Sequence, residues 1–279
     1  RERSVVQQLA TAAERMAAPA PSAAVWGRVI GLPVAVGDMA SISGEIIRRA
    51  QQGRGGYVCV ANTHMLVTAR REPAFREVVE RAPLVVSDGA PLVWQLRRQG
   101  FAQARQVRGP DLMLSLCERA AEAGVPVYVY GGDEPLIADL LQVLARHAPG
   151  LVIAGAEAAP MLPWRPELDR AAVDRIRRSG ARLVLVGLGC PKQEFWMQAH
   201  ASHLDAVLIG VGQAFAVAAG RMPEAPLWMR QHGLEWLFRL VSEPRRLWRR
   251  YLVTNSLFIG YVLGEMAGFG REAPSASRS

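Results

Sequence analysis

Short, continuous apolar runs alternate with longer amphipathic segments over most of this sequence. The segments between the runs, such as 109–123 and 134–147, are long enough for helices. Strands that alternate with such helices favour a parallel sheet, and continuously apolar strands indicate helices on both faces. We therefore predict an α/β fold, a doubly wound, mostly parallel, Rossmann-like sheet with a C-terminal helical appendage. The predicted strands lie at residues 57–60, 84–86, 125–130, 151–154, 183–186 and 206–209.

Other elements are predicted around this pattern. Residues 25–36 are predicted to form a strand or a hairpin around Gly31. Asp38 is placed to cap a helix that runs to about Gln52, and residues 62–64 are predicted to form a polar turn. Further helices are expected at 73–81, from 91 onward and at 167–179.

The pattern changes after about Arg221, where predicted strands end. Helices are predicted at 227–241 and 243–266, and residues 221–250 contain seven arginines against three glutamates. This segment is either an ordinary helical pair packed on the sheet or a contact for phosphates and a membrane surface. We therefore divide the chain into a poorly ordered tail (1–24), an α/β domain (25–220), a basic amphipathic helical appendage (221–266) and a flexible tail (267–279).

The composition narrows the class of protein. The formal net charge is +8, and every basic side chain except Lys192 is an arginine, so the chain attracts phosphate groups. Cys59, Cys117 and Cys190 are widely spaced, which fits a reducing compartment better than a disulfide or zinc framework. No signal peptide is expected in residues 1–24, and no apolar run reaches the roughly 18 residues that a membrane span needs.

Glycines and polar residues follow the predicted strands, at the edge where open α/β sheets bind ligands. Glycine lets the backbone approach a ligand closely, and a following helix N-terminus favours phosphate. A nucleotide or phosphate ligand is therefore predicted, although neither the dinucleotide fingerprint nor the Walker A spacing is complete. The candidate substrate-binding residues are Asn62, His64, Arg108, Gly132, Gly187, Gly189, Lys192, Gln193, Glu194, Gly212 and Gln213.

Asp88 follows an apolar strand and precedes Gly89, so its carboxylate is expected to face the same edge. One interpretation is an N-cap for the helix that begins near Pro91. The other is a general base that takes a proton from an attacking hydroxyl group. His64 and His232 are either surface hydrogen-bonding groups or contacts to an acceptor.

The sequence contains no Asp-x-Asp pair suited to holding a divalent metal on a diphosphate. A diphosphate leaving group would then need arginines or helix N-termini to stabilise it. We therefore expect neither a metal nor another cofactor.

Five motifs occur in order along the chain. They lie at 62–94, including the run Val-Ser-Asp-Gly-Ala-Pro-Leu-Val-Trp, and at 109–113, 186–194, 233–240 and 243–252. Together they resemble the WecG/TagA/CpsF family of glycosyltransferases over about residues 25–260. The resemblance implies an inverting, metal-independent hexosyltransferase, peripheral at the cytoplasmic face of the bacterial inner membrane. It implies a UDP-sugar donor and an undecaprenyl-diphosphate-linked sugar as acceptor.

The resemblance also implies roles for individual residues. Asp88 matches the proposed catalytic base, and Gln193 matches a residue near the nucleotide-sugar pocket. Arg239, Arg246 and Arg249 match arginines of the C-terminal appendage that are thought to reach the active site and bind the diphosphate or the acceptor.

Three positions depart from the family pattern. Val60 stands where the family often has threonine, Gln106 where it has arginine, and Ala216 where it has aspartate. Losing polar groups that touch a substrate changes which sugar is bound. We therefore expect a hexose donor, preferably UDP-glucose, and a β-1,4 linkage in exopolysaccharide synthesis, as in the GumM-like branch. The alternative is transfer of N-acetylmannosamine from its UDP derivative in wall-polymer or common-antigen synthesis.

Two further classes compete with a transferase. The +8 charge would suit a non-catalytic protein that binds nucleotides or nucleic acid, but no recognised nucleic-acid module occurs, so nucleic acid is not an expected partner. An NAD-dependent oxidoreductase would need the glycine fingerprint that is missing here. The expected partners are the UDP-sugar, the lipid-linked acceptor and the inner membrane surface, and a homo-oligomer stays open.

Overall fold

The computed structural model of the chain describes residues 25–267, apart from the side chains of Arg246 and Arg250. The predictions for the tails at 1–24 and 268–279 lie outside these described residues. The strands are β1 (Val25–Val29), β2 (Leu32–Val36), β3 (Gly56–Ala61), β4 (Leu84–Ser87), β5 (Val127–Gly131), β6 (Ile153–Glu157), β7 (Leu183–Gly187) and β8 (Val207–Gly210).

The helices of the described residues lie between these strands from β2 onward and after the last strand. Nine belong to the α/β part of the chain and the last three to the C-terminal appendage. They are α1 (Met39–Gln51), α2 (Thr63–Arg71), α3 (Pro73–Arg81), α4 (Ala90–Arg98), α5 (Gly109–Ala123), α6 (Glu134–His147), α7 (Arg170–Ser179), α8 (Lys192–Ala201), α9 (Ala214–Ala218), α10 (Leu227–Gln231), α11 (Glu235–Ser242) and α12 (Pro244–Met266).

Six of the described strands form one parallel sheet in the order β4-β3-β8-β7-β5-β6. Alternate side chains of β3 point into two separate cores, with Cys59 in one and Val58 in the other. Helices α2, α3, α7 and α8 cover the first face, and α1, α5, α6 and α9 cover the second. The predicted doubly wound sheet is confirmed, because both faces of nearly every strand are buried under helices.

Residues 25–36 form a hairpin that stands apart from the main sheet. Strands β1 and β2 pair antiparallel through a tight turn at Ile30 and Gly31, both with positive φ. The hairpin side chains Val29, Leu32 and Val34 are buried in the same core as helices α2 and α3. The sequence predicted either a single strand or a hairpin at 25–36, and the structure contains the hairpin.

The predicted polar turn at 62–64 is wrong, because these residues begin helix α2. The Asn62 side chain caps this helix by accepting the Met65 N–H at 3.1 Å. Leu66 and Val67 are buried beneath it. The sequence pattern did not indicate this short helix, because it begins with polar residues.

The prediction of one helix over 227–241 is also wrong. The chain breaks there into α10 and α11, with Gly233 between them at φ +70°. Only glycine adopts this left-handed backbone conformation without strain, so the break is encoded at that residue. Two smaller corrections concern β6, which begins at Ile153, and α7, which begins at Arg170 because the Asp169 side chain accepts the Ala172 N–H.

The topology places a crevice between two neighbouring strands. The helices that follow β3 pack on one face of the sheet, whereas α9, which follows β8, packs on the other. The connections therefore diverge at the carboxyl ends of β3 and β8, which is where open α/β sheets bind ligands. Helix α12 packs against α2 beside this crevice. No helix within residues 25–267 is long and apolar enough to cross a membrane.

Candidate active site

A cavity of about 660 Å³ opens between the carboxyl ends of β3 and β4 and the C-terminal appendage. Its inner end is polar, with Asn62, His64, Asp88, Gln213 and Arg239 on its wall. The N-termini of α2 and α4 also face it, and helix N-termini favour anionic groups. Five of the sequence-predicted site residues therefore meet in one cavity. The outer end is apolar and is formed by Phe258, Ile259, Val262, Leu263 and Met266 of α12.

Asp88 lies directly beyond the end of β4 and faces this cavity. Its Oδ1 accepts the backbone N–H of Gly109 at 3.0 Å, so it engages the start of α5 and not the start of α4. Gly89 takes the N-cap position of α4 that one interpretation assigned to Asp88. Burial and the nearby charge of Glu235 raise the pKa of Asp88 to about 6. A carboxylate with a pKa near the working pH, exposed to a cavity, suits proton abstraction.

Arg108 immediately precedes α5 and is almost completely buried. Its guanidinium donates to Asp111 at 2.9 Å, to Glu224 at 2.9 Å and to Glu235 at 3.0 Å. Glu224 and Glu235 belong to the appendage, so this ion-pair cluster fastens the appendage to the α/β domain. The sequence predicted that Arg108 binds substrate. In the structure its guanidinium is instead paired with three carboxylates, and Arg108 does not line the cavity.

Arg239 enters the cavity from α11. It donates to Glu235 Oε1 at 3.0 Å, one helical turn away, and to Gln213 Oε1 at 2.8 Å. Gln213 follows β8, so Arg239 bridges the appendage and the ligand-binding edge of the sheet. Its side chain is 30% exposed, which leaves the guanidinium accessible from the cavity.

The three departures from the family pattern occupy different environments. Gln106 lines the cavity and donates from Nε2 to the backbone oxygen of Asp88 at 2.5 Å. Val60 is buried in the core of the second sheet face. Ala216 lies in the short helix α9, where its carbonyl accepts the N–H groups of Arg221 and Met222. Of the three, Gln106 is therefore the one placed to contact a substrate in this cavity.

The predicted residues after β7 form a second group, beside the cavity and not in its wall. Gln193 is buried, accepts the Gly189 N–H at 3.1 Å and donates to Glu194 Oε1 at 2.8 Å. Glu194 is fully buried, and burial raises the pKa of its carboxyl to about 7. Gly212 packs near Gln193, since a Cβ atom there would lie 3.4 Å from Gln193 Oε1. The amide of Gln193 thus supports the turns that follow β7 and β8.

Two predicted glycines serve close packing. A Cβ atom at Gly187 would lie 2.4 Å from the ring of Phe215, and one at Gly132 would lie 3.0 Å from Leu136. Gly189, in contrast, has φ +79° and open space around its Cα. Among Gly132, Gly187 and Gly189, it is therefore Gly189 whose backbone a ligand can approach closely, as the sequence predicted for all three.

The remaining predicted residues point elsewhere or lie outside the described side chains. Lys192 donates to the carbonyl oxygen of Leu162 at 2.9 Å and so holds the loop that precedes α7. Arg249 lies over the ring of its neighbour Trp248 on the exposed side of α12. His232 donates from Nδ1 to the carbonyl of Trp228 at 2.6 Å. The side chain of Arg246 belongs to the part that the structure does not describe.

Sequence reasoning missed Glu235 as a site residue. It is the first residue of α11 and shares a cavity wall with Asp88 and Arg239. Its spacing of four residues from Arg239 is typical of a helical ion pair, and this signal could have found it. Trp94 and Tyr251 also line the cavity and were not predicted as site residues. Both lie in motifs that carry the family resemblance, at 62–94 and 243–252, and this signal could have found them.

We searched the titratable residues of the described part of the chain for a metal centre. Among residues 25–267, no group of three or more His, Cys, Asp or Glu side chains is arranged to hold a metal ion. Metal independence stays a prediction, which a chelator can test directly.

Asp88 lies in a cavity beside the topological switch point of an α/β sheet, and Arg239 of a helical appendage faces the same cavity. This arrangement suits group transfer from a substrate that carries phosphate. The family model of the glycosyl transferase WecG/TagA/CpsF family matches residues 27–272. The chain therefore belongs to this family of glycosyl transferases. Membership implies a nucleotide-sugar donor and a lipid-linked sugar acceptor.

Proposed function

We propose that this protein transfers a hexose from a UDP-sugar, preferably UDP-glucose, to an undecaprenyl-diphosphate-linked sugar, with inversion and without a metal. The proposal places the reaction in bacterial exopolysaccharide synthesis, in the GumM-like branch of the family. The observation that carries it is the carboxylate of Asp88, set at the polar end of a cavity whose other end is apolar.

The proposed step uses Asp88 as its base. Its carboxylate takes the proton from the acceptor hydroxyl while that oxygen forms a bond to the anomeric carbon. The bond from the anomeric carbon to the diphosphate breaks, and its electron pair leaves with UDP. Arg239 and the N-termini of α2 and α4 face the same space and would stabilise the negative charge of the diphosphate.

The shape of the cavity supports a lipid-linked acceptor. Phe258, Val262 and Leu263 of α12 form an apolar wall that continues from the polar end where Asp88 lies. A polyprenyl chain would bury apolar surface along this wall while the sugar that it carries reached Asp88. Outside the cavity, α12 exposes further apolar side chains, including Leu252 and Val253, which supports peripheral binding at the cytoplasmic face of the inner membrane.

The proposed function is tested by a transfer assay with a synthetic polyprenyl-diphosphate sugar and a panel of UDP-sugars, with and without chelator. We expect product from UDP-glucose in both conditions, with the inverted anomeric configuration seen by NMR. A preference for UDP-N-acetylmannosamine would replace the donor assignment, and loss of activity with chelator would contradict metal independence. Absence of transfer from every nucleotide sugar would overturn the proposed activity.

The donor preference is expected to depend on Gln106. Replacing it by arginine, the residue typical of the family, adds a charge to the cavity wall beside Asp88, so relative kcat/KM for N-acetylated donors should rise about tenfold. Val60→Thr and Ala216→Asp are the matched controls, since neither position lines the cavity. They should leave the order of donors unchanged. An equal response to all three substitutions would remove Gln106 from donor selection.

A further inference from the structure

Glu235 lies between two guanidinium groups at the inner end of the cavity. Its Oε2 accepts Arg108 Nε at 3.0 Å, and its Oε1 accepts Arg239 Nη2 at 3.0 Å. Its side chain is only 19% exposed, so its negative charge is balanced mainly by these two arginines and not by water. Burial alone would raise the pKa of Glu235, but the contacts with Arg108 and Arg239 outweigh it and lower that pKa. Glu235 is therefore ionised at neutral pH.

Asp88 is the second carboxylate within reach of these cations. It bonds to the N–H of Gly109, the residue next to Arg108, and it shares the cavity wall with Arg239. Among the described contacts, however, neither guanidinium forms a hydrogen bond or an ion pair with Asp88. Arg108 contacts three other carboxylates, and Arg239 contacts Glu235 and Gln213.

We propose that Glu235 is a positioning residue that withholds the guanidinium groups of Arg108 and Arg239 from Asp88, so that Asp88 acts as a base and not as half of an ion pair. This inference rests on the proposed function, in which Asp88 accepts the proton. An aspartate paired with arginine is a weak base, because the cation stabilises the carboxylate. Glu235 provides the negative charge that competes with Asp88 for the two guanidinium groups.

The electrostatics of Asp88 agree with this arrangement. Burial is the largest cause of its raised pKa, and the charge of Glu235 comes next. The Gly109 N–H and the charges of Arg239 and Arg108 act in the opposite direction. Removing the charge of Glu235 would remove one cause of the raised Asp88 pKa. It would also leave the guanidinium groups of Arg108 and Arg239 free to approach Asp88. Several other titratable or charged groups among the described residues face the cavity or its rim. They are His64 on α2, Arg108 before α5, Glu235 and Arg239 on α11, Glu243 before α12 and Tyr251 on α12.

The first experiment measures Asp88 directly and needs no substrate. The protein is labelled with ¹³Cγ-aspartate, the Asp88 resonance is assigned by its loss in Asp88→Asn, and its pH titration is followed in wild type and in Glu235→Gln. Glutamine keeps the size of the side chain but removes its charge. We expect a midpoint at about pH 6 in wild type. In Glu235→Gln it should fall by about one pH unit, the scale on which a nearby cation moves a carboxyl pKa.

Two further variants separate positioning from simple docking of the appendage. Glu235→Asp keeps the charge and should keep most of the wild-type midpoint. Glu224→Gln also removes a partner of Arg108, but Glu224 has no hydrogen bond or ion pair with Arg239 among the described contacts. It should leave the Asp88 midpoint unchanged, and circular dichroism checks that each variant is folded. An Asp88 midpoint in Glu235→Gln equal to that of wild type would overturn the inference.

The pH profile of sugar transfer gives the second readout. The acidic limb of kcat/KM should move to lower pH by the same amount in Glu235→Gln, with a reduced plateau because the base is weaker. A reduced plateau with an unmoved limb would show a merely structural role and overturn the inference. Transfer that persists in Asp88→Asn, or no transfer by wild type, would instead contradict the proposed function. In that case the NMR titration alone would still test whether Glu235 sets the pKa of Asp88.

Discussion

At the scale of single residues, the site depends on the contrast between Asp88 and the other carboxylates around it. Asp111, Glu224 and Glu235 each contact a guanidinium, whereas Asp88 accepts a backbone N–H and faces the cavity. A neutral N–H donor stabilises a carboxylate less than an arginine does. Asp88 therefore keeps a basicity that an ion pair with arginine would remove.

Asp88→Asn is expected to reduce kcat by at least about 100-fold, the usual contribution of a general base. Asparagine retains the oxygen that accepts the Gly109 N–H, so binding of the donor should be nearly unchanged. Steady-state kinetics and calorimetric titration with the nucleotide sugar measure the two effects. In wild type, kcat/KM should fall as the pH drops through about 6, because the carboxylate is protonated there. Retained transfer by the variant would exclude Asp88 as the base.

The same substitution should leave the protein as stable or more stable at pH 8. The pKa of Asp88 is raised from 3.8 to about 6 in the folded state, so ionisation opposes folding. That cost grows as the pH rises from about 4 to about 6 and is constant above this range. Thermal unfolding of both proteins at pH 4, 6 and 8 should therefore show an advantage for Asp88→Asn that disappears toward pH 4. A lower Tm for the variant at pH 8 would contradict the raised pKa.

At the scale of elements, the break between α10 and α11 sets where the appendage meets the α/β domain. Gly233 lies at this break and packs against Ala90, the first residue of α4. A Cβ atom at Gly233 would lie 2.9 Å from the Ala90 Cβ atom. Helix α11 carries Glu235 and Arg239 directly after this contact. A shift at Gly233 would therefore move both residues relative to Asp88.

Gly233→Ala is expected to destabilise the fold by about 1–2 kcal/mol, because alanine is strained at φ +70°. It should also reduce kcat about tenfold by displacing α11, an effect of the size that small misplacements cause. Gly260→Ala in α12 is the matched control, since a Cβ atom there meets open space and alanine favours the helix. Chemical denaturation and transfer kinetics would compare the two, and equal effects would show that the contact with Ala90 is unimportant.

At the scale of the whole molecule, exposed aromatic and apolar side chains concentrate in the appendage. Trp228 and Trp248 are 57% and 48% exposed, and the net charge of the chain is +8. Arg245 and Arg249 are exposed on α12, the helix that carries Trp248, and Arg249 lies over the Trp248 ring. Indole rings favour the boundary between water and lipid, and arginines attract anionic head groups. This surface therefore suits contact with an anionic membrane.

Replacing Trp228 and Trp248 by alanine together is expected to weaken binding to vesicles of phosphatidylglycerol and phosphatidylcholine about tenfold or more. Trp164 is the matched control, because it is 53% exposed but lies in the loop between β6 and α7. Co-sedimentation should show nearly normal binding for Trp164→Ala. Wild-type binding should also weaken at high salt, since part of it is electrostatic. Equal losses for both variants would contradict a membrane surface on the appendage.

The sequence determined the elements that local pattern controls. The apolar runs predicted the six-stranded parallel sheet, and glycines and polar residues marked its ligand-binding edge. Asp88 could be singled out because a strand, a carboxylate and a glycine follow one another. The start of α2 and the break at Gly233 were missed, since capping and a single positive φ leave only a weak local signal.

Only the tertiary structure decided which charged residues meet. Arg108 and Glu235 are 127 residues apart in the chain but 3.0 Å apart at their closest polar atoms. The apolar wall of the cavity likewise exists only because α12 packs beside α2. Hydrophobic patterning sets each helix and strand separately, whereas the pKa of a carboxylate depends on its burial and on every charge nearby. The candidate base Asp88 could therefore be recognised in the sequence, whereas the charges that surround it could not.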